Sequence, residues 1–525
     1  MLRSILIAGI TATLAGLCPQ SYAQLENVAA AYRGEVARPS SMAQVAPASR
    51  DMAGTSGSWE QDYRAEMNEV QQRLQEAEAT IATLQSQLDS TAPNDPSADV
   101  VDLLGDRWRR AGDPELDVVS LQTHSTRGTH GDERAWYEKF SLRGYTQFRI
   151  NEMTCMADDS APPQHVGDRS IGEDQNFLIR RARLVLSGDI SDHMFVYLQP
   201  DFAVTTPGSS DGNHFAQIRD WYADLYLDLE KVYRFRVGQS KVPYGWENLQ
   251  SSSNRAPLDR SDSLNSAVRN ERDLGAFFYW TPTSAQDFFK EVLDLGLKGS
   301  GNYGVFGIGV YDGQGGSFVE QNDNLHIVSR LTWPIYLASC HHAELGVQAY
   351  SGRYTVLSSP ISPLGVGAAT RPDGTLETGN RRGLQDERVG GTFVWYPEPI
   401  GFQAEWNVGR GPALNDAHTE VVVRSLTGGY LMTMMRLEGP RGGIWFPFCR
   451  WSYYEGGYKS ERNAPYADID EWELGVEWQA TKQVELTSSY LITDRTNTTA
   501  INAEDTESYR QFNGQVARFQ LQVNY

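Results

Sequence analysis

From Lys139 to the last residue, hydrophobic and polar residues alternate with a period of two. The alternation is clear in KFSLRGYTQFRIN (139–151), DWYADLYLDL (220–229), EWELGVEWQ (471–479) and the terminal ARFQLQVNY (517–525). A period of two predicts β-strands, because successive side chains of a strand point to opposite faces of the sheet. Each of these strands has one apolar face and one polar face.

Two features favour a membrane barrel over a soluble sheet that buries its apolar face in a core. The polar faces are densely charged, whereas the apolar faces carry Trp and Tyr near the strand ends, as the aromatic girdles of a membrane barrel do. The connections between strands also alternate between long and short, which is the pattern of outer loops and periplasmic turns.

The predicted strands fall into two groups on either side of a long loop. The first group is 140–151, 177–188, 194–203, 217–229 and 232–239. The second group is 291–299, 304–312, 325–333, 344–354, 387–397, 400–409, 427–438, 443–454, 470–480, 483–492 and 513–525.

The two groups leave residues 240–290 as the third long loop. The strand-like segment LGAFFYW (274–280) is assigned to this loop or to an extension of the following strand. The total is sixteen, and bacterial barrels have an even number of strands. The sequence therefore predicts an all-β fold, a 16-stranded antiparallel transmembrane β-barrel at 139–525, preceded by an α-helical coiled coil.

The amino-terminal residues predict export. Arg3 precedes an apolar run from residue 5 to 17, and a small-residue pattern ends at Ala23. These features predict a cleaved signal peptide at 1–23. Residues 24–57 are rich in Ala, Ser, Gly and Pro and are predicted to be a flexible segment.

Residues 58–92 predict the coiled coil. Apolar residues recur in two interleaved series of period seven: Met67, Leu74, Ile81 and Leu88, and Tyr63, Val70, Ala77 and Leu84. This spacing is an a/d seam and favours self-association of two or three chains. A single amphipathic helix packed on its own chain is the alternative. Pro93 and Pro96 end the helical pattern, and 93–138 is a linker of unknown role.

The composition excludes several classes of function. The formal net charge of −21 argues against nucleic-acid binding, which requires a basic surface. Beyond the signal there is no apolar run of about 18 residues, so no transmembrane helix is predicted. The three remaining cysteines are far apart and imply neither a disulfide framework nor a metal cluster. No hydrolase or phosphate-binding motif is present, so neither an enzyme nor a cofactor is predicted.

Several segments resemble the phosphate-selective porin O/P family over roughly residues 139 to 525. They are FLIRRARLVLSGDI (177–190), RVGQSKVPYGWENLQSSSNRAPLDRS (236–261), NERDLGAFFYW (270–280), ELGVEWQATKQVELTSSYLITD (473–494) and FQLQVNY (519–525). The most specific part is the Gly-Gln-x-Lys-x-Pro-x-Gly element at 238–245. The resemblance implies a trimeric channel in the outer membrane of a Gram-negative-type bacterium, with the third loop folded into the pore. It also implies basic residues along the passage and, in the best-known members, phosphate or polyphosphate as solutes.

Basic residues are therefore the candidates for lining the pore, because rings of Arg or Lys lower the free energy of an anion in a channel. Strand parity and the third loop give eleven of them: Arg143, Arg149, Arg181, Arg183, Arg234, Arg236, Lys241, Arg255, Arg260, Arg269 and Arg272. Parity places Arg180 on the outward face at the outer rim. The alternative is that the strand arginines neutralise inward Asp220, Asp224 and Asp228 as a structural ladder.

The third loop itself is mixed in charge, since it also carries the carboxylates of Glu247, Asp259, Asp262, Glu271 and Asp273. The predicted function is a water-filled porin for passive uptake of small anionic solutes, as a homotrimer in outer-membrane lipid. The alternative is a general-diffusion porin without anion selectivity that tethers the outer membrane to the cell wall through its coiled coil. About 30 helical residues would reach about 45 Å at 1.5 Å per residue.

Overall fold

The computed structural model describes residues 136–525, except for 158–170, 172–176, 204–215, 317, 319, 321, 338–340, 358–381, 419, 440–441 and 499–508. The predicted signal peptide, flexible segment and coiled coil lie outside the described residues, as does the linker up to residue 135.

Seventeen antiparallel strands form one sheet. Their bounds in chain order are β1 Phe140–Met156, β2 Phe177–Ser191, β3 Met194–Asp201, β4 Gln217–Tyr226, β5 Tyr233–Lys241, β6 Arg272–Trp280, β7 Phe306–Tyr311, β8 His326–Tyr336, β9 His342–Tyr354, β10 Leu384–Trp395, β11 Ile400–Leu414, β12 Val421–Met435, β13 Leu437–Glu438, β14 Ile444–Gly457, β15 Tyr466–Gln479, β16 Val484–Thr496 and β17 Gln511–Asn524.

The sheet closes into a ring of sixteen strand positions. The two-residue β13 continues the line of β12, and both pair with β14. Strand β1 pairs with β2 on one side and with β17 on the other. The predicted 16-stranded antiparallel barrel is confirmed.

The helices are short and lie mostly in two connections. A 3-10 helix, Trp136–Lys139, leads into β1. Between β5 and β6 are α1 Trp246–Leu249, α2 Asp262–Asn265 and a 3-10 helix Arg269–Glu271, and between β6 and β7 is α3 Thr283–Asp294. In the part of the chain that the structure describes, no helix is long and apolar enough to cross a membrane.

The period-two pattern places apolar side chains outside and polar side chains inside. In β4, the outward side chains of Trp221 and Leu225 are 57% and 41% exposed, whereas the inward Tyr222 and Asp224 are 4% and 1% exposed. The outer surface therefore suits lipid, and the charged faces line the interior.

The sixth strand corrects the sequence prediction. Residues 274–280 belong to β6, which pairs with β5 and β7, whereas the predicted strand 291–299 is wrong, because 291–294 lie in α3. Apolar residues at 285, 288, 289 and 292 have helical spacing and are buried. The strand count remained correct because one missed strand offset one false strand.

This correction redefines two connections. The third long loop is residues 242–271 (L3), and a second long connection, residues 281–305 (T3), lies on the side of the short turns. We call that side the turn end of the barrel, where Tyr525 pairs with Gly144 at the start of β1, and the opposite side the loop end. L3 and T3 both contact inward side chains of the described barrel.

Candidate functional site

The Gly-Gln-x-Lys-x-Pro-x-Gly element at 238–245 forms the entry to L3. Gly238 and Gly245 have φ of +127° and +83°, a conformation that favours glycine. A Cβ at Gly238 would also lie 2.4 Å from the carbonyl oxygen of Trp221. Lys241 Nζ donates to the carbonyls of Leu249 (2.8 Å) and Gln250 (3.1 Å). The element therefore turns the chain into the lumen and fixes the first turn of L3.

Apolar residues hold the base of L3 against one side of the barrel. Val242, Tyr244 and Leu249 pack in one cluster with Phe277 of β6 and Tyr350 of β9. This packing keeps the loop on the inner face of β6–β9 and directs its tip across the lumen.

The tip of L3 carries Asp259 into a group of arginines on β1, β2 and β17. Its carboxylate lies 2.9 Å from Arg149 Nη1, 3.7 Å from Arg180 Nη2 and 3.6 Å from Arg181 Nη2, and it also contacts Arg518 Nη2. Burial raises the pKa of the Asp259 carboxyl, but these guanidinium groups lower it more, so the pKa lies well below its usual range. Asp259 is therefore ionised and attaches the tip of L3 to β1, β2 and β17.

Two further ion pairs attach L3 to the same side of the barrel. Glu247 Oε1 lies 2.9 Å from Arg450 Nη1 of β14, and Asp262 Oδ2 lies 2.6 Å from Arg495 Nη2 of β16. The Glu405 carboxylate of β11 accepts the backbone N–H of Trp246 at 2.7 Å and thereby caps α1. Contacts with strands from β11 through β17 to β1 and β2 thus hold L3 in place.

The position of Arg180 contradicts the parity prediction. Gln147 of β1 is opposite Arg181, but Phe148 is opposite Ile179, so the register shifts by one residue at Arg180. This β-bulge turns two consecutive arginines to the same side. Arg180 and Arg181 both point into the lumen and are 8% and 5% exposed, so the predicted outward, rim position of Arg180 is wrong.

A cavity remains between L3 and the wall formed by β2–β5. It has about 10 Å³ of room for water centres, which is about the space of one water molecule. Its lining contains three basic groups, Arg183, Lys241 and Arg272, and two acidic ones, Asp220 and Glu271. The remaining lining residues are Tyr197, Gln199, Tyr222, Gln250, Ser251, Ser252 and Tyr303.

The charged groups at this cavity are joined in one network. Arg272 Nε donates to Asp220 Oδ2 at 2.8 Å and Arg272 Nη1 contacts Glu271. Glu271 also forms ion pairs with Arg260, at 2.6 Å from its Nη2, and with Arg219, at 3.4 Å from its Nη2. Burial raises the pKa of Glu271, but Arg260, Arg272 and Arg219 lower it to well below its usual range. The carboxylates are thus covered by guanidinium groups.

Arginines of β2 and β5 pair with strand carboxylates. Arg183 Nε donates to Asp201 Oδ2 at 2.7 Å. Arg236 holds both oxygens of Asp224, at 2.7 and 2.9 Å, and its guanidinium lies 3.8 Å from the ring centroid of Tyr222. The predicted ladder partner Asp228 instead caps a turn by accepting the backbone N–H of Val232.

The structure brings three of the eleven predicted residues, Arg183, Lys241 and Arg272, to the cavity. The other eight contact other groups. Five form ion pairs: Arg149 and Arg181 with Asp259, Arg234 and Arg236 with Asp224, and Arg260 with Glu271. Arg255 donates to the carbonyls of Pro257 and Leu258, half-buried Arg143 donates to the Ser187 hydroxyl, and Arg269 stacks over the Phe318 ring.

Seven inward arginines of the described residues were missing from the sequence-based set: Arg180, Arg219, Arg330, Arg388, Arg450, Arg495 and Arg518. Five of them, Arg330, Arg388, Arg450, Arg495 and Arg518, sit on strand faces where parity alone could have identified them. Arg388, for example, donates from Nη1 and Nη2 to the carbonyls of Ser263 (3.0 Å) and Ser266 (2.9 Å) in L3. Arg180 and Arg219 point inward only because a β-bulge shifts the register at each of them, and strand parity cannot predict a bulge.

One family model matches most of the chain. A family model described as phosphate-selective porin O and P matches residues 159–525. A search of curated proteins finds no match.

Several solved structures are similar to the chain, and each alignment covers 74% of it. The outer membrane channel DcaP of Acinetobacter baumannii is 11% identical, with 97% of that chain covered and a TM-score of 0.42. OmpF of Salmonella typhi in complex with daunomycin is 12% identical, with 97% covered and a TM-score of 0.44. The trimer form of OmpT of Vibrio cholerae is 9% identical, with 99% covered and a TM-score of 0.39.

Proposed function

Since the chain belongs to the phosphate-selective porin O and P family, it is an outer-membrane channel protein, and we propose that it passes small anionic solutes, phosphate or polyphosphate among them. The residues of the cavity between L3 and β2–β5 are the part of the molecule that supports this proposal best. The proposed assembly is a homotrimer, which the family resemblance implies, and the heptad pattern at 58–92 favours self-association of two or three chains.

The charge of the cavity lining is the observation that carries the proposal. Three basic groups face two carboxylates there, and both carboxylates are already engaged by Arg272. Covered carboxylates attract cations weakly, whereas the field of the surplus basic group favours an anion. A passing anion therefore meets a lower free energy than a cation at this point.

Arginine also suits the proposed solutes chemically. A guanidinium presents five N–H donors in a planar fork, so it can hold one carboxylate and still offer donors to an oxyanion. The pairs between Arg183 and Asp201 and between Arg272 and Asp220 have the geometry that an oxyanion would adopt. The side-chain carboxylates compete with the solute for the same guanidinium groups. The solute therefore binds weakly enough to leave.

Reversal potentials in planar bilayers under a KCl gradient test the proposal. We expect chloride to be preferred over potassium, and we expect this preference to fall in the double variant Lys241→Met/Arg272→Met. Arg410→Met is the matched control, since Arg410 is exposed and lies on the outward face of β11. A preference for potassium in the unsubstituted protein would refute anion passage.

Phosphate added to the same bilayers distinguishes a phosphate-accepting pore from a general anion pore. Phosphate is expected to reduce the chloride current, because both ions use the same basic residues. An unchanged chloride current would leave only the general anion pore.

A further inference from the structure

T3, the connection 281–305, is much longer than a turn between adjacent antiparallel strands requires. Its helix α3 buries one apolar face at the turn end of the barrel. Phe288 packs edge-on against Tyr336 with ring centroids 5.1 Å apart, and Phe289 and Val292 belong to the same buried cluster. The apolar face of the helix is therefore packed against the barrel.

After α3 the chain crosses the lumen. Lys298 is fully buried, and its Nζ contacts Glu477 of β15 and lies 4.7 Å from the ring centroid of Phe446 in β14. In the ring of sixteen positions, T3 starts from the sixth strand, and β15 is the fourteenth, eight positions away. Lys298 thus reaches the side of the barrel opposite the strand that T3 leaves.

T3 meets L3 inside the lumen, although the two connections enter from opposite ends. Gln250 Nε2 donates to the carbonyl of Lys298 at 2.6 Å, and Asn254 Nδ2 donates to the carbonyl of Gly299 at 3.0 Å. Trp246 of L3 lies in the same apolar cluster as residues of α3. The two connections are thus joined by polar and apolar contacts.

T3 also forms part of the cavity at β2–β5. Tyr303 lines that cavity, and the carbonyl of Asn302 accepts Arg234 Nη2 at 2.8 Å. Gly296 and Gly304, which flank this part of T3, have φ of +65° and +81°. Such glycines allow the backbone to rotate at both ends of the segment while α3 stays docked.

We propose that residues 297–303 of T3 form a second constriction, inserted from the turn end and latched to L3 and to Glu477, and that the passage opens when this segment withdraws. The proposal rests on the proposed channel function. The cavity that Tyr303 lines has room for about one water molecule, so withdrawal of 297–303 would widen it. L3 is held by several buried carboxylate–arginine groups, whereas one ion pair holds 297–303 to the far wall.

Single-channel conductance of Lys298→Met tests the latch. We expect a several-fold larger conductance, because the segment loses its charged contact with the far wall. Lys290→Met is the matched control, since Lys290 lies in the same connection, has the same charge and, among the described residues, pairs only with Asp294 of its own helix. Equal conductance in Lys298→Met, Lys290→Met and the unsubstituted protein would refute the latch.

The charge-swapped variant Lys298→Glu/Glu477→Lys covers the case in which Lys298→Met does not fold. Folding of each variant is checked by the heat-dependent electrophoretic mobility of the barrel. The swap restores the ion pair, so the conductance of the unsubstituted protein is expected, and a several-fold increase would contradict the proposal.

Cross-linking gives an independent measurement of the movement. In a chain with Cys155, Cys340 and Cys449 changed to Ser, the pair Lys298→Cys/Glu477→Cys is bridged by a short, reducible bifunctional thiol reagent. We expect low conductance when bridged and a several-fold rise on reduction. No rise would refute the proposal, whatever the ion selectivity. A cation preference together with the rise would refute anion passage while supporting the second constriction.

Discussion

At the residue scale, the lumen is organised by charges that are buried and paired. Arg149, Arg450 and Arg495 are each at most 2% exposed, and each contacts a carboxylate of L3. A buried charge is costly unless a partner compensates it, so the arginines of the strands and the acids of the loop depend on one another. The acidic residues that made L3 look neutral in sequence are the residues that attach it.

Asp259→Asn is expected to destabilise the barrel and release the tip of L3, because four arginines lose their shared carboxylate. Removing one partner of a buried ion pair costs about 3–5 kcal/mol, measurable by urea unfolding of the barrel. Asp416→Asn is the control, since Asp416 is 89% exposed and pairs with Arg424 at the surface, where such pairs are worth about 0–1 kcal/mol. Equal losses in the two variants would contradict the role of Asp259.

The pKa values of Asp259 and Glu271 predict how the constriction responds to acid. Both lie well below the usual range because arginines surround each carboxyl group. The stabilisation by a carboxylate with a lowered pKa is fully present above the unfolded-state value of about 4 and is lost as the pH falls through the folded-state value. The free energy of unfolding that is lost in Asp259→Asn, measured by urea unfolding, should therefore be constant from neutral pH down to about pH 5 and shrink only below about pH 4. A transition centred near pH 6 would contradict this assignment.

At the scale of elements, the alternation rule identified most strands. It failed in two ways: it took part of a helix for a strand, and it did not detect a β-bulge. In EVLDLGLKG (291–299) the spacing of apolar residues imitates a strand, although its first half completes the apolar face of α3. In β2 the bulge at Arg180 breaks the period. Both failures arise where contacts with the rest of the barrel override a local pattern.

Gly238→Ala is expected to lower the thermal stability and folding yield of the barrel. At φ +127° a side chain is strained, and its Cβ would meet the Trp221 carbonyl at 2.4 Å. Gly391→Ala in β10 is the control, since nothing lies within 4 Å of a Cβ there. Heat-dependent electrophoretic mobility measures both variants. Equal melting of the two would show that the backbone of the 238–245 element tolerates a side chain.

At the scale of the whole molecule, the overall charge conceals the charge of the passage. The formal net charge is −21, yet basic groups outnumber acidic ones at the cavity. A channel responds to the local field at its constriction, where low-dielectric walls concentrate it. Composition therefore does not determine ion selectivity.

Deletion of residues 24–95 tests the role proposed for the segment before the barrel. If the heptad pattern drives assembly, the deletion should abolish the homotrimer, as measured by the mass of the detergent-solubilised protein. If the segment tethers the outer membrane to the cell wall, envelope integrity should fall while single-channel currents stay normal. Intact trimers, currents and envelope together would contradict both roles.

The sequence by itself determined the barrel and the division of its strands into an apolar and a polar face. These properties follow from local periodicity, because the side of a strand on which a residue lies depends only on its neighbours. Only the tertiary structure decided which charges pair and that T3 crosses the lumen. Arg518 and Asp259 are 259 residues apart in the chain, and Lys298 and Glu477 are 179 apart. Such contacts exist only once the ring has closed and two connections share its interior.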